Sequence, residues 1–171
     1  MVIIKCTNEF LRSYAKNWLT DLMAIYDTEY NVGIVSPVKN HIGRKLIGGK
    51  LDSAGNCINL FEEDREKETI EWFHSCCLLL NNTIAKRVGC FDERFKVRYY
   101  EEVDLCIRTL DYGYKLICPK NVEIDYLSNE SIDFKGYQEK NRVLFVTKNE
   151  QWLIEHKGKA VKRKRRRTME E

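Results

Sequence analysis

The sequence predicts one mixed α/β domain followed by a short basic tail, and three observations support this prediction. Apolar, β-branched segments alternate with segments whose apolar residues recur every three or four positions, as strands and helices do. Of the 171 residues, 43% are hydrophobic and 32% are charged, as in ordinary globular domains. Proline occurs only twice and no glycine- or serine-rich linker is present, so we expect a single domain over residues 1–156.

In the first half, the predicted strands are 1–6, 32–35, 45–52 and 57–61, and the predicted helix is 15–26. The first two strands are apolar and rich in β-branched residues. In the helix, Trp18, Leu22 and Tyr26 recur every four residues and share one face. Between the last two strands, Ser-Ala-Gly-Asn at 53–56 predicts a hairpin turn, because Gly and Asn tolerate positive φ. A charged loop over 62–68 follows.

In the second half, the predicted strands are 69–73, 76–80, 114–118 and 122–126, and the predicted helices lie at 82–88, 100–112 and 134–156. Asn81 or Asn82 can cap the first of these helices, which Gly89 ends. Gly113 closes the second helix. The last segment carries aromatic and aliphatic residues on one face and is predicted to be one long helix.

The segment 157–167 carries eight basic residues and no acid, although the formal net charge of the whole chain is only +3. We expect a disordered tail over 157–171. It could contact anionic lipid at a membrane surface, nucleic-acid phosphates, or nothing specific, and we favour the membrane surface. No apolar run is long enough for a membrane span, so the expected location is cytoplasmic and peripheral at the membrane. The odd number of cysteines, seven, suits a reduced compartment.

The most informative stretch is 89–119, which contains a helix that opens with Glu101, Glu102 and Asp104. Acidic residues in a first helical turn interact favourably with the helix dipole, and Asp104 can pair with Arg108 one turn on. A purely structural role is therefore one interpretation. The other interpretation is that one carboxylate faces a cleft and removes a proton from an incoming hydroxyl.

Several ordered blocks of the sequence resemble motifs of the family 2 glycosyltransferases, which have the GT-A fold. The blocks are Phe-Asp-Glu-Arg-Phe at 91–95, Glu-Glu-Val-Asp-Leu-Cys at 101–106, Gly-Tyr-Lys at 113–115, Val-Gly-Ile-Val-Ser-Pro at 32–37, Asn-Trp-Leu at 17–19, Trp-Phe-His-Ser-Cys-Cys-Leu-Leu at 72–79 and Asn-Arg-Val-Leu-Phe at 141–145. The resemblance covers roughly residues 1–153. It implies a mixed sheet with flanking helices that corresponds to the acceptor-side half of a truncated GT-A domain.

In this family the second acid of the acidic pair is the general base for inverting transfer from a nucleotide sugar to a glycan or lipid-linked acceptor. The resemblance implies that Glu102 has this role, as in a hexosyltransferase, although the family has Asp at this position. The extra methylene of Glu shifts the carboxylate by about an ångström, and a shift of that size can lower the rate about a hundredfold.

The resemblance also implies residues for substrate binding. The implied acceptor-binding residues are Trp72, Asp92, Glu101 and Asp104, with the Trp72 ring available for stacking on a sugar. His74 stands where the family keeps a small residue and is a candidate for contact with the phosphates of the nucleotide. Core packing is the alternative for Trp72, and a structural role is the alternative for His74.

The family usually holds Mg²⁺ or Mn²⁺ through an Asp-x-Asp motif and, in many members, a later His. Here Cys-Thr-Asn-Glu at 6–9 occupies the first position, so Glu9 is the nearest acidic candidate. Asp125 stands in place of the His and is the second candidate ligand, with a solvent-facing residue at a strand end as the alternative.

Most of the nucleotide-binding half of the family pattern has no counterpart in the sequence, and residues 1–6 would form an apolar strand at a sheet edge. Such an edge favours pairing, so we expect a homo-oligomer or a partner chain that covers it. The expected function is a glycosyltransferase. The alternative is a degenerate, inactive binding module for a glycan or a protein.

Overall fold

A computed structural model describes residues 2–6, 11–13, 16–97, 99–126 and 135–167. Its strands are β1 (Val2–Cys6), β2 (Leu11–Ser13), β3 (Val32–Val35), β4 (Val38–His41), β5 (Arg44–Leu51), β6 (Cys57–Phe61), β7 (Cys77–Asn81), β8 (Lys115–Ile117) and β9 (Glu123–Tyr126). Its helices are α1 (Trp18–Thr28), α2 (Asn82–Val88), α3 (Glu101–Asp111), α4 (Lys135–Lys148) and α5 (Glu150–Arg167), with a 3₁₀ turn at Glu62–Asp64.

The strands form two mixed sheets, which agrees with the predicted α/β class. The first sheet has the order β1-β7-β3-β8 and the second β2-β9-β4-β5-β6. Within each sheet one neighbouring pair is parallel, β3 with β8 and β4 with β9, and the other pairs are antiparallel. The parallel pairing continues from one sheet to the next, since the Ser36 N–H donates to Ile117 O at 3.0 Å and the Val38 N–H to Val122 O at 2.9 Å.

The central strands of the first sheet, β3 and β7, are buried on both faces. Along β7, Leu78 and Leu80 belong to the larger hydrophobic cluster, which also contains side chains of α2, α3, α4 and α5. Leu79 points to the opposite face and packs in a smaller cluster with Leu22 of α1. This alternation follows from the two-residue period of a strand, and it explains why β7 is an almost continuous apolar run.

Most predicted elements are present, and the differences have local causes. The strands β2 and β4 were not predicted, because both are short and β4 is largely polar after Val38. The segment 69–73 is not a strand and makes only an isolated bridge between Gly49 and Trp72. Asn81 caps α2 as predicted, its side chain accepting from the Thr83 N–H at 2.8 Å, and Gly89 follows the helix with a φ of 78°.

The predicted helix over 134–156 is two helices, interrupted at Asn149. The Asn149 side chain donates to Phe145 O at 3.0 Å and to Asp104 Oδ1 at 3.1 Å. The helical backbone bonds from the Asn149 N–H to Phe145 O and from the Leu153 N–H to Asn149 O are kept, at 2.9 and 3.0 Å, so the interruption is confined to this residue. The backbone of α5 continues to Arg167, whereas the sequence predicts disorder from Lys157. Lys and Arg are good helix formers, which accounts for the difference. Within the described ranges, no helix has the length and apolarity needed to cross a membrane.

Candidate functional site

A cavity of about 300 Å³, here called the Glu102 cavity, opens where α3, α4, β6 and the segment before β7 meet. The strand β6 contributes two side chains, the segment before β7 four, the start of α3 four and α4 one. The lining residues are Cys57, Asn59, Trp72, His74, Ser75, Cys76, Tyr99, Tyr100, Glu102, Val103 and Gln138. The structure thus brings Glu102 and Trp72 together in one hollow.

The chain enters α3 through a backbone segment with positive φ at three residues that are not glycine. Val97, Tyr99 and Tyr100 have φ values of 68°, 76° and 74°. Each such conformation costs on the order of 1–3 kcal/mol, and strain of this kind clusters at functional sites. The Tyr100 side chain holds the turn, because its hydroxyl donates to Gly55 O at 3.2 Å and its ring packs 5.2 Å from that of Phe145.

This turn fixes the direction of the first residues of α3, and the three acids there point to different surroundings. Glu102 is 6% exposed and lines the cavity. Asp104, two residues further, is fully buried elsewhere. Glu101 is half-buried and is not among the residues that line the cavity. Only Glu102 of this acidic group therefore faces the space in which a substrate could bind.

Asp104 belongs to a buried cluster of charges. Its Oδ2 accepts from Arg108 Nε at 2.8 Å and from Lys148 Nζ at 2.9 Å, and its Oδ1 accepts from Asn149 Nδ2 at 3.1 Å. These contacts, made by a side chain with no exposed surface, join α3 to the end of α4 and favour the structural interpretation of Asp104. The acceptor contact of Asp104 stays a prediction.

Asp92 is tied to the same cluster. Lys148 Nζ donates to Asp92 Oδ2 at 2.7 Å, and the Arg94 guanidinium donates to both carboxylate oxygens. Hydrogen bonds from Arg94 and Lys148 hold the pKa of Asp92 well below its usual range. Asp92 does not line the Glu102 cavity and bridges the loop before α3 and the end of α4, and its acceptor contact stays a prediction.

Trp72 forms part of the cavity wall but offers little open ring surface. The residue is 3% exposed, and its indole N–H donates to Lys50 O at 3.1 Å. The ring lies so close to Gly49 that a Cβ there would be 2.3 Å from it. Trp72 is therefore both a packed core residue and part of the cavity wall.

His74 lies beside Trp72, with ring centroids 4.6 Å apart, and its Nε2 is 3.2 Å from Asn59 Oδ1. Burial, together with the positive charge of Lys39 and of His41, lowers the pKa of His74 to about 3. The imidazole is therefore neutral near pH 7. It can exchange hydrogen bonds with a ligand, but it does not supply the positive charge that a phosphate contact would favour.

The thiol of Cys57 is another titratable group that lines the Glu102 cavity. Although part of the residue is exposed, desolvation within the cavity wall and the Glu102 carboxylate raise the pKa of this thiol to about 12. A thiol that stays protonated is a poor nucleophile. Six cysteines form no disulfide with one another, and four of them are buried; they are Cys57, Cys76, Cys77, Cys90, Cys106 and Cys118. This leaves the Glu102 carboxylate as the basic group of the cavity.

Of the two candidate metal ligands, the structure describes Asp125, which belongs to no metal-binding group of the described residues. Asp125 lies on β9, where its Oδ1 accepts from Asn40 Nδ2 at 3.1 Å, and it does not line the Glu102 cavity. Glu9 lies outside the described residues. Over residues 2–6, 11–13, 16–97, 99–126 and 135–167, no group of three or more His, Cys, Asp or Glu side chains is placed to hold a metal ion.

Several lining residues were not predicted from the sequence. Asn59 and Cys57 belong to an ordinary hairpin strand, and Gln138 lies on a helix whose pattern shows only its buried face. The closest indication in the sequence was the predicted hairpin turn at 53–56, because it makes β6 run antiparallel beside β5. Tyr99 and Tyr100 immediately precede the acidic motif and could have been included on that ground.

Comparison with solved structures gives a match to the crystal structure of GalNAc-T7 with UDP, GalNAc and Mn²⁺. The TM-score is 0.65 at 14% sequence identity, over 85% of this chain and 31% of that one. The likeness establishes the fold, which is the GT-A fold predicted from the sequence. The chain spans about a third of the length of the protein it matches. No protein-family model and no curated protein sequence matches the chain.

Proposed function

We propose that the protein is an inverting glycosyltransferase related to family 2, which transfers a sugar from a nucleotide sugar to a hydroxyl of a glycan or lipid-linked acceptor. The observation that carries the proposal is the single carboxylate, Glu102, that lines the cavity of about 300 Å³. It lies at the position of the general base in the motif that the sequence resembles. The GT-A fold and the UDP and GalNAc ligands of the matched structure support sugar transfer in general, whereas the inverting course of the reaction rests on the motif resemblance.

In the proposed reaction, the acceptor hydroxyl gives its proton to a Glu102 oxygen as the acceptor oxygen attacks the anomeric carbon of the donor sugar. The bond between that carbon and the phosphate oxygen breaks, and its electron pair leaves with the nucleoside diphosphate. Attack from the face opposite the leaving group inverts the configuration. This mechanism needs one base and no protein nucleophile, which suits a cavity whose Cys57 thiol stays protonated and whose His74 is neutral near pH 7.

Binding of the donor and of a divalent metal is part of the proposal, with Mg²⁺ or Mn²⁺ as the metal. The matched structure contains UDP and Mn²⁺. The described residues do not fit a metal site, so its ligands would come from outside the described ranges, with Glu9 as the candidate, or from another chain, and no step above depends on them. The strand β1 lies at one end of the first sheet and pairs with β7. A second copy or a partner chain could extend the sheet there.

Transfer of labelled sugar tests the proposal directly. The full-length protein, with Mn²⁺, is incubated with a panel of radiolabelled nucleotide sugars and a mixture of glycan and polyprenyl-phosphate acceptors. We expect metal-dependent incorporation of label from at least one donor, with inversion at the anomeric carbon detected by NMR. Saturable glycan binding without incorporation from any donor would contradict the transferase and favour a degenerate binding module.

We also propose that the basic end of α5 contacts anionic lipid, in keeping with a peripheral cytoplasmic enzyme. The backbone is helical to Arg167, and eight basic residues lie within 157–167. Near the start of this segment, Lys157 pairs with Glu71 of the domain body. Each basic residue near an anionic membrane contributes about 1 kcal/mol, so the segment can hold the domain at such a surface.

Vesicle binding tests this contact. We expect the protein to sediment with phosphatidylserine-containing vesicles but not with pure phosphatidylcholine vesicles, and to be released by high salt. Replacing Lys162, Arg163, Lys164 and Arg165 by Gln should lower the affinity by at least a hundredfold. Arg44→Gln, an exposed charge change on the body, is the control. Vesicle binding unaffected by the fourfold change, or a preference for RNA over vesicles, would contradict the lipid proposal.

A further inference from the structure

A second hollow of about 310 Å³, here called the outer cavity, adjoins the Glu102 cavity. Its lining includes Asn56, Glu139 and Arg142, none of which lines the first cavity. Cys57, Tyr100 and Gln138 line both hollows. Because they share these three residues, the two hollows adjoin each other beside the start of α3 and the first turns of α4, and together they are here called the groove.

The polar groups of the outer cavity are held in fixed positions. Arg142 donates through Nε and Nη2 to the two carboxylate oxygens of Glu139, at 2.9 and 2.8 Å, and through Nη1 to Ala54 O at 3.2 Å. Asn56 Nδ2 donates to Asp52 Oδ2 at 2.8 Å. Side chains whose orientation is already fixed lose little conformational entropy when a ligand binds.

The charge of the outer cavity favours a neutral polyhydroxylated ligand over an anion. The Arg142 cation is matched by the Glu139 carboxylate, whose pKa is lowered by the hydrogen bond from Arg142. The pair, with the Gln138 and Asn56 amides, offers hydrogen-bond donors and acceptors side by side without net charge. Adjacent hydroxyl groups of a sugar present the same alternation. A phosphate would require a cation that is not already paired.

The size of the groove agrees with this ligand. A hollow of about 300 Å³ lies at the lower limit for small-molecule sites, so either cavity alone suits one small ligand. Resting on the function proposed above, we infer that the acceptor is a glycan of at least two sugar residues. Its terminal residue presents a hydroxyl to Glu102, and its second residue binds in the outer cavity through Gln138, Asn56 and the Arg142–Glu139 pair.

Binding measured without turnover tests this inference. Saturation-transfer NMR and titration calorimetry compare each free monosaccharide with its disaccharide: glucose with maltose and cellobiose, galactose with lactose, and N-acetylglucosamine with chitobiose. For at least one pair, the disaccharide should bind tenfold or more tightly than the monosaccharide. Arg142→Ala should lower the affinity for that disaccharide about tenfold and change monosaccharide binding less than twofold, since a hydrogen bond to a charged group contributes about 1.5 kcal/mol or more.

A matched control is Arg44→Ala, which removes an arginine from an exposed pair with Glu63 outside the groove and should change neither affinity. Thermal unfolding of each variant checks that it is folded. Gln138→Ala, which alters the wall shared by the two cavities, should weaken the binding of both sugars.

Two outcomes would overturn the inference: equal affinity for mono- and disaccharides in every pair, or equal weakening of both by Arg142→Ala. Equal transfer to mono- and disaccharide acceptors would refute the inference and leave the transferase proposal standing. Tighter binding of the disaccharide without any sugar transfer would refute the transferase proposal and leave the two adjoining sugar sites standing.

Discussion

Replacing Glu102 by Gln should lower kcat/KM for sugar transfer by about 10²- to 10⁴-fold, which is the usual contribution of a general base. Gln keeps the shape of the side chain and can still hydrogen-bond to a hydroxyl, but it cannot accept the proton. Because Glu102 is 6% exposed and lines the cavity, the change acts at the site of reaction. Acceptor binding by calorimetry should change only a few-fold, so the loss should appear in kcat.

The matched control is Asp111→Asn, which removes one negative charge from the exposed end of the same helix. It should leave kcat/KM within about twofold of the wild type, since it touches no cavity residue. Glu102→Asp should retain more activity than Glu102→Gln, because the proton acceptor is kept at the cost of about an ångström of reach. If Glu102→Gln transferred sugar as fast as Asp111→Asn, Glu102 would not be the base.

Replacing Asp104 by Asn should destabilise the fold by about 3 kcal/mol. Removal of one partner from a buried ion pair typically costs 3–5 kcal/mol, and the partial exposure of Arg108 and Lys148 places this case at the lower end. Urea unfolding should show the midpoint lowered by about 1–2 M with an unchanged slope. Glu63→Gln breaks the exposed pair with Arg44 and, as the control, should leave the urea midpoint nearly unchanged, because exposed ion pairs contribute little to stability.

Urea unfolding and sugar binding of the Asp104→Asn variant, measured together, distinguish the two roles considered for Asp104. A structural role predicts lost stability and, below the unfolding temperature, sugar affinity close to that of the wild type. Weakened acceptor binding with an unchanged urea midpoint would restore the acceptor contact expected from the sequence.

The helix that carries the site could be predicted from local signals. Gly113 marks the end of α3, and the acidic group marks its beginning. The Glu102 position and its proximity to Trp72 came from the resemblance of two separate motifs to one family. The fold class followed from the alternation of strand and helix patterns, which depends on neighbouring residues alone.

The different surroundings of Glu102 and Asp104 could not be predicted, because they depend on contacts with residues far away in the sequence. Glu102 and Asp104 share one turn and carry the same local signal. Asp104 is drawn into the structural cluster by Lys148 and Asn149, which lie 44 and 45 residues away. The Asn149 side chain, at the break between α4 and α5, is held by its bond to Asp104.

The ion pair between Lys157 and Glu71 joins the basic segment proposed to contact lipid to the segment that forms a wall of the Glu102 cavity. Glu71 accepts from the Leu51 N–H at 2.7 Å through its other oxygen and immediately precedes Trp72. A lipid phosphate that competes for Lys157 would therefore also act on the wall of the Glu102 cavity. Thermodynamic linkage makes any such effect reciprocal: a membrane that tightened sugar binding by some factor would itself be bound more tightly, by that same factor, once the sugar was in place.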